Sequence, residues 1–172
     1  DGSGHVRVYE WDNTSWTQLG VDIDGESAGD FSSTSVSLSS DGSIVAIGAL
    51  SNDGNGDNSG HVRVYEWDDT SWTQIGSDID GEAAGDQSGT SVSLSSDGSI
   101  VAIGAHQNDG NGSYSGHVRV YEWDNTSWNQ IDSDIDGEAA NDQSGYSVSL
   151  SSDGSIVAIG ARSNDGNGND AG

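Results

Sequence analysis

Residues 91–105 read SVSLSSDGSIVAIGA, in which two short segments rich in β-branched residues flank the dipeptide Asp97-Gly98. Serine and apolar side chains alternate over residues 91–94, which is the period of a strand with one buried face. An Asp-Gly pair between two such segments is a strong signal for a β-hairpin. The second segment, residues 100–105, is uncharged and apolar on both faces, so we expect other sheets to cover both sides of it.

The same hairpin recurs at a constant interval along the chain. SVSLSSDGSIVAIGA begins at Ser35, Ser91 and Ser147, and GHVRVYEWD begins at Gly4, Gly60 and Gly116, which gives a step of 56 residues. Self-similarity at a fixed period indicates a repeat architecture. We therefore treat residues 1–172 as one repeat array, with sequence repeats 4–59, 60–115 and 116–171.

Each repeat contains four segments with strand periodicity and none with helical periodicity. In the second copy they are residues 61–67, 72–75, 90–95 and 100–105, separated by turn-forming residues. Four strands per repeat predict an all-β fold of tandem four-stranded antiparallel blades, similar to a β-propeller. Three blades are too few for a closed ring, since propellers typically have about four to eight. Closure would require association of chains or further repeats.

The charge and the residue types present exclude several classes of partner and site. The 29 acidic residues against four arginines give a formal charge of −25. Such a chain would repel a nucleic-acid backbone, so we expect no nucleic-acid partner. An anionic membrane surface is an unlikely partner for the same reason, and no apolar run approaches the ~18 residues of a membrane span. Because cysteine is absent, no disulfide or thiolate metal site can form.

Most of the carboxylates fall in two loops that antiparallel strands carry to the same end of the sheet. In the first of them, Asp53, Asn55 and Asp57 alternate along the sequence NDGNGD. Calcium takes six to eight oxygen ligands from such groups, so we predict calcium sites in these loops. The equivalent candidates in the second and third copies of this loop are Asp109, Asn111 and Ser113, then Asp165, Asn167 and Asn169. The second loop supplies further candidate ligands at Asp22, Asp24, Asp78, Asp80, Asp134 and Asp136.

Two alternatives to calcium remain open at these loops. NDGNG is also typical of a glycine-rich turn, in which Asn and Asp tolerate positive φ. The second loop, DIDGEAAGD in the middle copy, is also typical of a solvated acidic linker with its isoleucine and alanines turned inward.

Other recurring residues are interpreted as structural. His5, His61 and His117 lie 56 residues apart and therefore on different blades, which argues against a shared zinc site. The six tryptophans are expected to pack between blades rather than bind sugar.

Asn13, Asn111 and Asn125 stand in Asn-x-Ser triplets and are candidate glycosylation sites. No nucleophile, base or carboxylate pair stands apart from its repeated copies, so we expect no enzyme activity.

The motifs SVSLSSDGSIVAIGA, NDGNG and GHVRVYEW together resemble the FG-GAP family of β-propeller repeats, which is related to the head of the integrin α-subunit. Ser88-Gly89 stands where the family has Phe-Gly, Gly104-Ala105 is the Gly-Ala element, and residues 60–65 are the strand that follows it. The resemblance implies that the inner hairpin of each blade precedes the outer one. Complete blades would then span about 32–76 and 88–132, with split half-blades at 5–20 and 144–162 that could complete each other.

One departure from the family pattern concerns its calcium loop. Calcium-binding members carry an aspartate-rich loop inside the inner hairpin, whereas Ser96-Asp97-Gly98 is too short to surround an ion. The family's calcium sites therefore do not carry over to Asp41, Asp97 or Asp153.

Taken together, these features predict an extracellular or cell-surface protein with a structural or adhesive role. Calcium would stabilise it, and self-association through blade stacking or completion of split blades would build a larger assembly or fibre. The alternative is a surface binding module that recognises a protein or glycan ligand through its acidic loop face. Neither function involves nucleic acid or insertion into a membrane.

Overall fold

The computed structural model describes residues 2–166 and 168, and all regular structure in this part of the chain is β. The strands are β1 (His5–Val6), β2 (Tyr9–Trp11), β3 (Trp16–Gln18), β4 (Ile23–Asp24), β5 (Ser32–Leu38), β6 (Ile44–Ala49), β7 (His61–Trp67), β8 (Trp72–Gln74), β9 (Ile79–Asp80), β10 (Ser91–Leu94), β11 (Ile100–Ala105), β12 (His117–Trp123), β13 (Trp128–Gln130), β14 (Ile135–Asp136), β15 (Ser144–Leu150) and β16 (Val157–Ala161). The prediction of an all-β repeat fold is confirmed. Among the described residues, no helix is long and apolar enough to cross a bilayer.

Two five-stranded antiparallel sheets form the middle of the array. One has the order β5-β6-β7-β8 and the other β10-β11-β12-β13. The third strand of each sheet has seven residues and also pairs with a short fifth strand, β9 on β7 and β14 on β12. Strand β7 thus pairs with β9 near its start and with β8 near its end, so that β8 and β9 share one edge of the blade.

The short strand β9 differs from the sequence prediction, which placed its residues in a loop. His61 pairs with Asp80 and Val62 pairs with Ile79. Ile79 is buried in the core between blades, and this burial holds the two-residue strand against β7. The inward turn of the isoleucine was expected, but the backbone pairing was not.

Incomplete sheets lie at the two ends of the described array. At the start, β1 pairs with β4 and β2 pairs with β3, whereas at the end β15 pairs with β16 alone. The segment 5–11 is broken into β1 and β2, although the identical sequence in β7 is continuous. Strand β7 is held on one side by six pairs with β6, and no strand of the described residues occupies that position beside β1 and β2.

Two apolar cores fill the spaces between neighbouring blades. The larger one joins Val62 and Val64 of one blade to Val92, Leu94 and Ile103 of the next. A smaller core joins β1, β4 and the segment between β1 and β2 to β6. The apolar side chains of β6 and β11 are buried on both faces, as the uncharged composition of these strands predicts.

The backbones of adjacent blades also touch. A Cβ added to Gly48 would clash with the carbonyl oxygen of Gly89, and one added to Gly104 would clash with that of Gly145. Ser35 Oγ donates a 2.7 Å hydrogen bond to the same Gly89 oxygen. The glycines of β6 and β11 are therefore required by the close approach of the next blade.

Tryptophans seal the outer part of each joint. Trp72 Nε1 donates to the carbonyl of Leu19 at 3.0 Å, and Trp128 Nε1 donates to the carbonyl of Ile75 at 3.1 Å. In both cases the acceptor lies on the preceding blade. The predicted role of tryptophan in packing between blades is confirmed for these two residues.

Candidate functional site

Each blade joint brings a glutamate, a histidine and an aspartate together. The first joint triad is Glu26, His61 and Asp78, and the second joint triad is Glu82, His117 and Asp134. In each triad one ligand atom per residue lies within 4.8 Å of the other two. The glutamate comes from the loop after β4 or β9 on one blade, while the histidine and aspartate belong to the next blade.

Strand pairing explains the position of the histidine and the aspartate. His61 begins β7 and pairs with Asp80 of β9, so Asp78, two residues earlier in the turn before β9, lies beside the imidazole. His61 Nδ1 is 3.5 Å from Asp78 Oδ2. Residues two apart on a strand share a face, which places Arg63 on the same side of β7 as His61.

In the first joint triad an arginine occupies the space between the carboxylates. Arg63 donates to both oxygens of Asp78, from Nε at 3.0 Å and from Nη2 at 3.1 Å, and it also forms an ion pair with Glu26. Burial disfavours the ionised form of Asp78, but hydrogen bonds from Arg63 and Gln74 outweigh it and lower the pKa of this carboxyl. The first triad therefore contains its own cation.

The second joint triad has the same residues but a different arginine position. Arg119 Nη2 donates to the carbonyl of Asp80 at 2.7 Å, and the guanidinium lies 5.6 Å from the centre of the Tyr121 ring. Its Nη1 remains 3.9 Å from Glu82 Oε1. His117 Nδ1 lies 3.6 Å from Asp134 Oδ2 and 3.8 Å from Glu82 Oε2. The second triad is thus open where Arg63 fills the first.

Both histidines are buried with an unused ring nitrogen. His61 and His117 are 3% and 1% exposed, and within the described part of the chain Nδ1 of each has no hydrogen-bond partner. Burial is the main influence on both rings and lowers their pKa, although the neighbouring carboxylates act in the opposite direction. Both imidazoles are therefore neutral at pH 7, the form in which histidine ligates metals.

The NDGNG loops that were predicted to bind calcium are held by internal hydrogen bonds. Asp53 Oδ1 accepts from the backbone nitrogen of Asn58 at 2.8 Å, and Asp57 Oδ1 accepts from the Asn58 side chain at 2.9 Å. Asn55 Nδ2 donates to the carbonyls of Gly81 and Glu82 at 2.8 and 3.0 Å. The loop is thereby tied to the acidic segment that follows β9.

The next copy repeats this arrangement. Asp109 accepts from the backbone nitrogen of Tyr114 at 2.7 Å, Asn111 Nδ2 donates to the carbonyl of Gly137 at 2.8 Å, and the carbonyl of Ser113 accepts from Asn141. In the last copy Asp165 is exposed, while Asn167 and Asn169 lie outside the described residues. Calcium at these loops stays a prediction, supported by the density of oxygen ligands.

The other predicted acidic ligands divide into three groups. Asp78 and Asp134 belong to the joint triads. Asp22 accepts two hydrogen bonds from Arg7, at 2.9 and 2.8 Å. The remaining three are exposed on the short strands β4, β9 and β14: Asp24, Asp80 and Asp136.

The sequence prediction missed the histidines and glutamates of the triads as ligands. Each of the buried histidines His61 and His117 lies near two carboxylates, one of its own blade and one of the preceding blade. The available signal was the recurrence of a histidine at the start of a long strand, followed by an Asp-Ile-Asp segment in every copy. Glu26 and Glu82 carry no local signal, because they belong to the preceding blade.

The three candidate glycosylation sites differ in their surroundings. Asn13 and Asn125 are exposed in hairpin turns with φ of 74°. The side-chain nitrogen of Asn111 is already used in the loop contact described above. Attachment of a glycan would therefore disturb the structure least at Asn13 and Asn125.

Three of the residues that differ between the repeats contact one another. His106 and Tyr146 pack edge to face with ring centres 5.4 Å apart, and the guanidinium of Arg162 lies 4.2 Å from the centre of the Tyr146 ring. Arg162 also donates to the side chain of Gln143 at 2.8 Å. This divergent cluster lies next to the acidic segments that precede β10 and β15.

Comparison with known families identifies part of this array. Residues 78–121, about a quarter of the chain, match the sequence model of the FG-GAP repeat. The match runs from Asp78 of the first joint triad to Tyr121 on β12 and includes the whole inner hairpin of the second complete blade. A search of curated proteins gave no match to this chain.

Proposed function

Because this chain carries an FG-GAP repeat, a β-propeller-like module of a type common in extracellular proteins, we propose that it is a non-enzymatic structural or adhesive repeat protein. In this proposal it acts outside the cell or at the cell surface and associates through its blades into a larger assembly. Calcium bound by the acidic loops stabilises it.

The observation that carries the proposal is that each joint between blades buries two complementary apolar surfaces. Val36 is 54% exposed at the start of the array, whereas its equivalent Val92 is 9% exposed because the preceding blade covers it. Leu38 and Trp16 are exposed at the same end. The first blade therefore presents a surface that fits a further blade, whether that blade belongs to the same chain or to a second copy.

The opposite end exposes the complementary surface. Ile156 is 68% exposed, whereas Ile44 and Ile100 are covered by Gly98 and Gly154 of the blade that follows each of them. Ile135 is also exposed, although its equivalent Ile79 is buried. The two surfaces are the two sides of a joint that this chain already forms twice. Head-to-tail association of such surfaces yields a ring or an open filament.

The net negative charge of the chain is the reason that the proposal includes calcium. A formal charge of −25 on 172 residues opposes compaction and association unless cations offset it. Calcium is the cation that clustered carboxylate, amide and backbone oxygens prefer. The loops supply these groups on one side of every blade.

Light scattering after size-exclusion chromatography tests the assembly. We expect the mean mass to rise with protein concentration, and the double variant Val36→Ser/Leu38→Ser to abolish the rise. Val21→Ser is the matched control, since this valine is 80% exposed outside the blade faces. A protein that stays monomeric at all concentrations, or a double variant that associates like the control, would overturn the proposal.

The divergent cluster favours a second candidate function, recognition of a protein or glycan. The Tyr146 ring is 40% exposed, rests on the buried His106 and has the Arg162 guanidinium beside it, an arrangement that suits binding of a flat or sugar-like group. Tyr146→Thr restores the residue found at this position in the other copies. Both proteins are screened against glycans and candidate surface proteins. If the Tyr146→Thr variant binds every ligand as well as the parent does, the cluster is not a recognition site.

A further inference from the structure

We propose that Glu82, His117 and Asp134 form a binding site for a divalent first-row transition-metal ion such as Zn²⁺ at the joint between two blades. The first joint triad is the equivalent site, with Arg63 in place of the ion. These sites are separate from the NDGNG loops, and they assign Asp78 and Asp134, which the sequence suggested as further calcium ligands, to a different ion.

The donor set determines the class of metal. One imidazole nitrogen and two carboxylate oxygens are ligands typical of zinc and its neighbours, and a water completes a four-coordinate shell. Calcium takes oxygen ligands and gains little from an imidazole. Ligands of a tetrahedral site with bonds of 2.0–2.2 Å lie about 3.3–3.6 Å from one another. His117 Nδ1 lies 3.6 Å from Asp134 Oδ2 and 3.8 Å from Glu82 Oε2, so these two distances need little contraction, and the two carboxylates lie within 4.8 Å of each other.

The buried histidine is the independent observation that points to a ligand. His117 is 1% exposed, and among the described residues its Nδ1 has no hydrogen-bond partner although two carboxylates face it. Nearly all buried polar atoms in proteins have a partner. A metal ion between the imidazole and the carboxylates would supply the missing partner of His117 Nδ1.

Arg63 and Arg119 occupy different positions relative to the carboxylates of their triads. Arg63 bridges Glu26 and Asp78, which places positive charge between the carboxylates of the first triad. Arg119 has turned toward the carbonyl of Asp80 and leaves the second triad open. Metal binding at the first triad therefore requires Arg63 to leave, so the second triad is the tighter site.

The three ligands come from two different blades, so a bound ion would affect the stability of the joint. Glu82 belongs to one blade, and His117 and Asp134 belong to the next. An ion held by all three connects the blades and stabilises only the packed joint, since unfolding separates the ligands.

Titration of the full chain with Co²⁺ in saturating calcium tests the site. Calcium occupies the acidic loops, and Co²⁺ reports on its ligands through visible absorption. We expect one tight equivalent per chain, with an absorption spectrum typical of low-coordinate cobalt and a rise in Tm, followed by a weaker second equivalent. Zn²⁺ should displace the cobalt and abolish the absorption.

Three variants decide which residues bind the ion. His117→Asn and Glu82→Gln should each weaken the tight equivalent by about tenfold or more, because each removes one ligand. Glu82 is exposed, so its variant tests the site even where the buried histidine is needed for folding. His5→Asn is the matched control, because His5 is exposed in the same GHVRVYEWD sequence and belongs to neither triad.

Arg63→Gln tests whether Arg63 competes with the metal ion at the first joint triad. Without the guanidinium, the first joint triad should bind the second equivalent of Co²⁺ with an affinity closer to that of the first equivalent. Cobalt binding that is unchanged in both the His117 and Glu82 variants, or binding without visible absorption, would show adventitious binding to surface carboxylates and overturn the proposal.

Discussion

Asn108 donates a 3.1 Å hydrogen bond from Nδ2 to Oδ2 of Asp86, a buried carboxylate 22 residues earlier in the chain. The same pair recurs as Asn52 with Asp30 and as Asn164 with Asp142, both at 3.0 Å. Each pair joins the loop after the second strand of an inner hairpin to the acidic segment before that hairpin. The pairs therefore fix the acidic segments, which otherwise have little regular structure.

Replacing Asn108 with Ala should destabilise the protein by about 1–3 kcal/mol, because the buried Asp86 carboxylate loses a donor that water cannot replace. Urea unfolding measures the change. Asp69→Asn is the control, since asparagine stands at the equivalent position in the other two copies and the side chain is exposed. An Asn108→Ala protein as stable as this control would contradict the role of the pair.

Gly104→Ala should destabilise the array by at least about 1–3 kcal/mol, because the added methyl group would overlap the backbone carbonyl of Gly145 on the next blade. Gly160→Ala is the equivalent change in the last copy. There the methyl group meets only the side chain of Ser147, which can move. Equal losses of stability in the two variants, measured by denaturant unfolding, would show that contact between blades is not the cause.

Acid should weaken the inner hairpin turns. The backbone nitrogen of Ser43 and the hydroxyls of Ser39 and Ser43 donate to Asp41 and lower its pKa to about 2. A carboxyl with a lowered pKa in the folded state stabilises the fold above its unfolded value. This contribution is lost as the pH falls from about 4 to about 2.

Carboxyl-carbon NMR over this pH range tests the turn. Asp41 should titrate near pH 2 in the parent protein, and Ser39→Ala should raise its pKa toward 3.8, the ordinary value. Ser40→Ala is the control, because the Ser40 side chain does not donate to Asp41. Titration of Asp41 near 3.8 in the parent would refute the proposed hydrogen bonds.

Calcium should raise the melting temperature relative to protein in chelator. At a calcium concentration about 100-fold above Kd, one site contributes about 2.7 kcal/mol, or about 5–10 °C for a chain of this size. Asp53→Asn/Asp57→Asn should reduce the shift, whereas Asp68→Asn in the outer hairpin turn should not. An identical melting temperature with calcium and with chelator would show that the acidic loops are solvated and bind no calcium.

The strands and the repeat could be predicted from sequence because their signals are local. Alternation, the Asp-Gly turns and the 56-residue step locate every long strand, and the match over residues 78–121 supports the FG-GAP resemblance. Strand β9 escaped prediction because two residues carry no period, and its pairing depends on β7 and on burial of Ile79.

The joint triads could not be predicted for a different reason. His61 and Asp78 lie 17 positions apart and meet through one strand pair, but Glu26 arrives from another blade. Only the stacking distance and angle of the blades bring it within reach. Sequence patterns within a single repeat contain no information on that geometry.

The contact between Gly48 and Gly89 has a consequence for how such arrays diverge. Because main-chain atoms set the distance between blades, the curvature of the array is nearly independent of the side chains displayed on it. Residues such as His106 and Tyr146 can change from copy to copy while the backbone contact at Gly48 recurs at Gly104. Shape and recognition can therefore evolve separately, with the first held constant by two glycines.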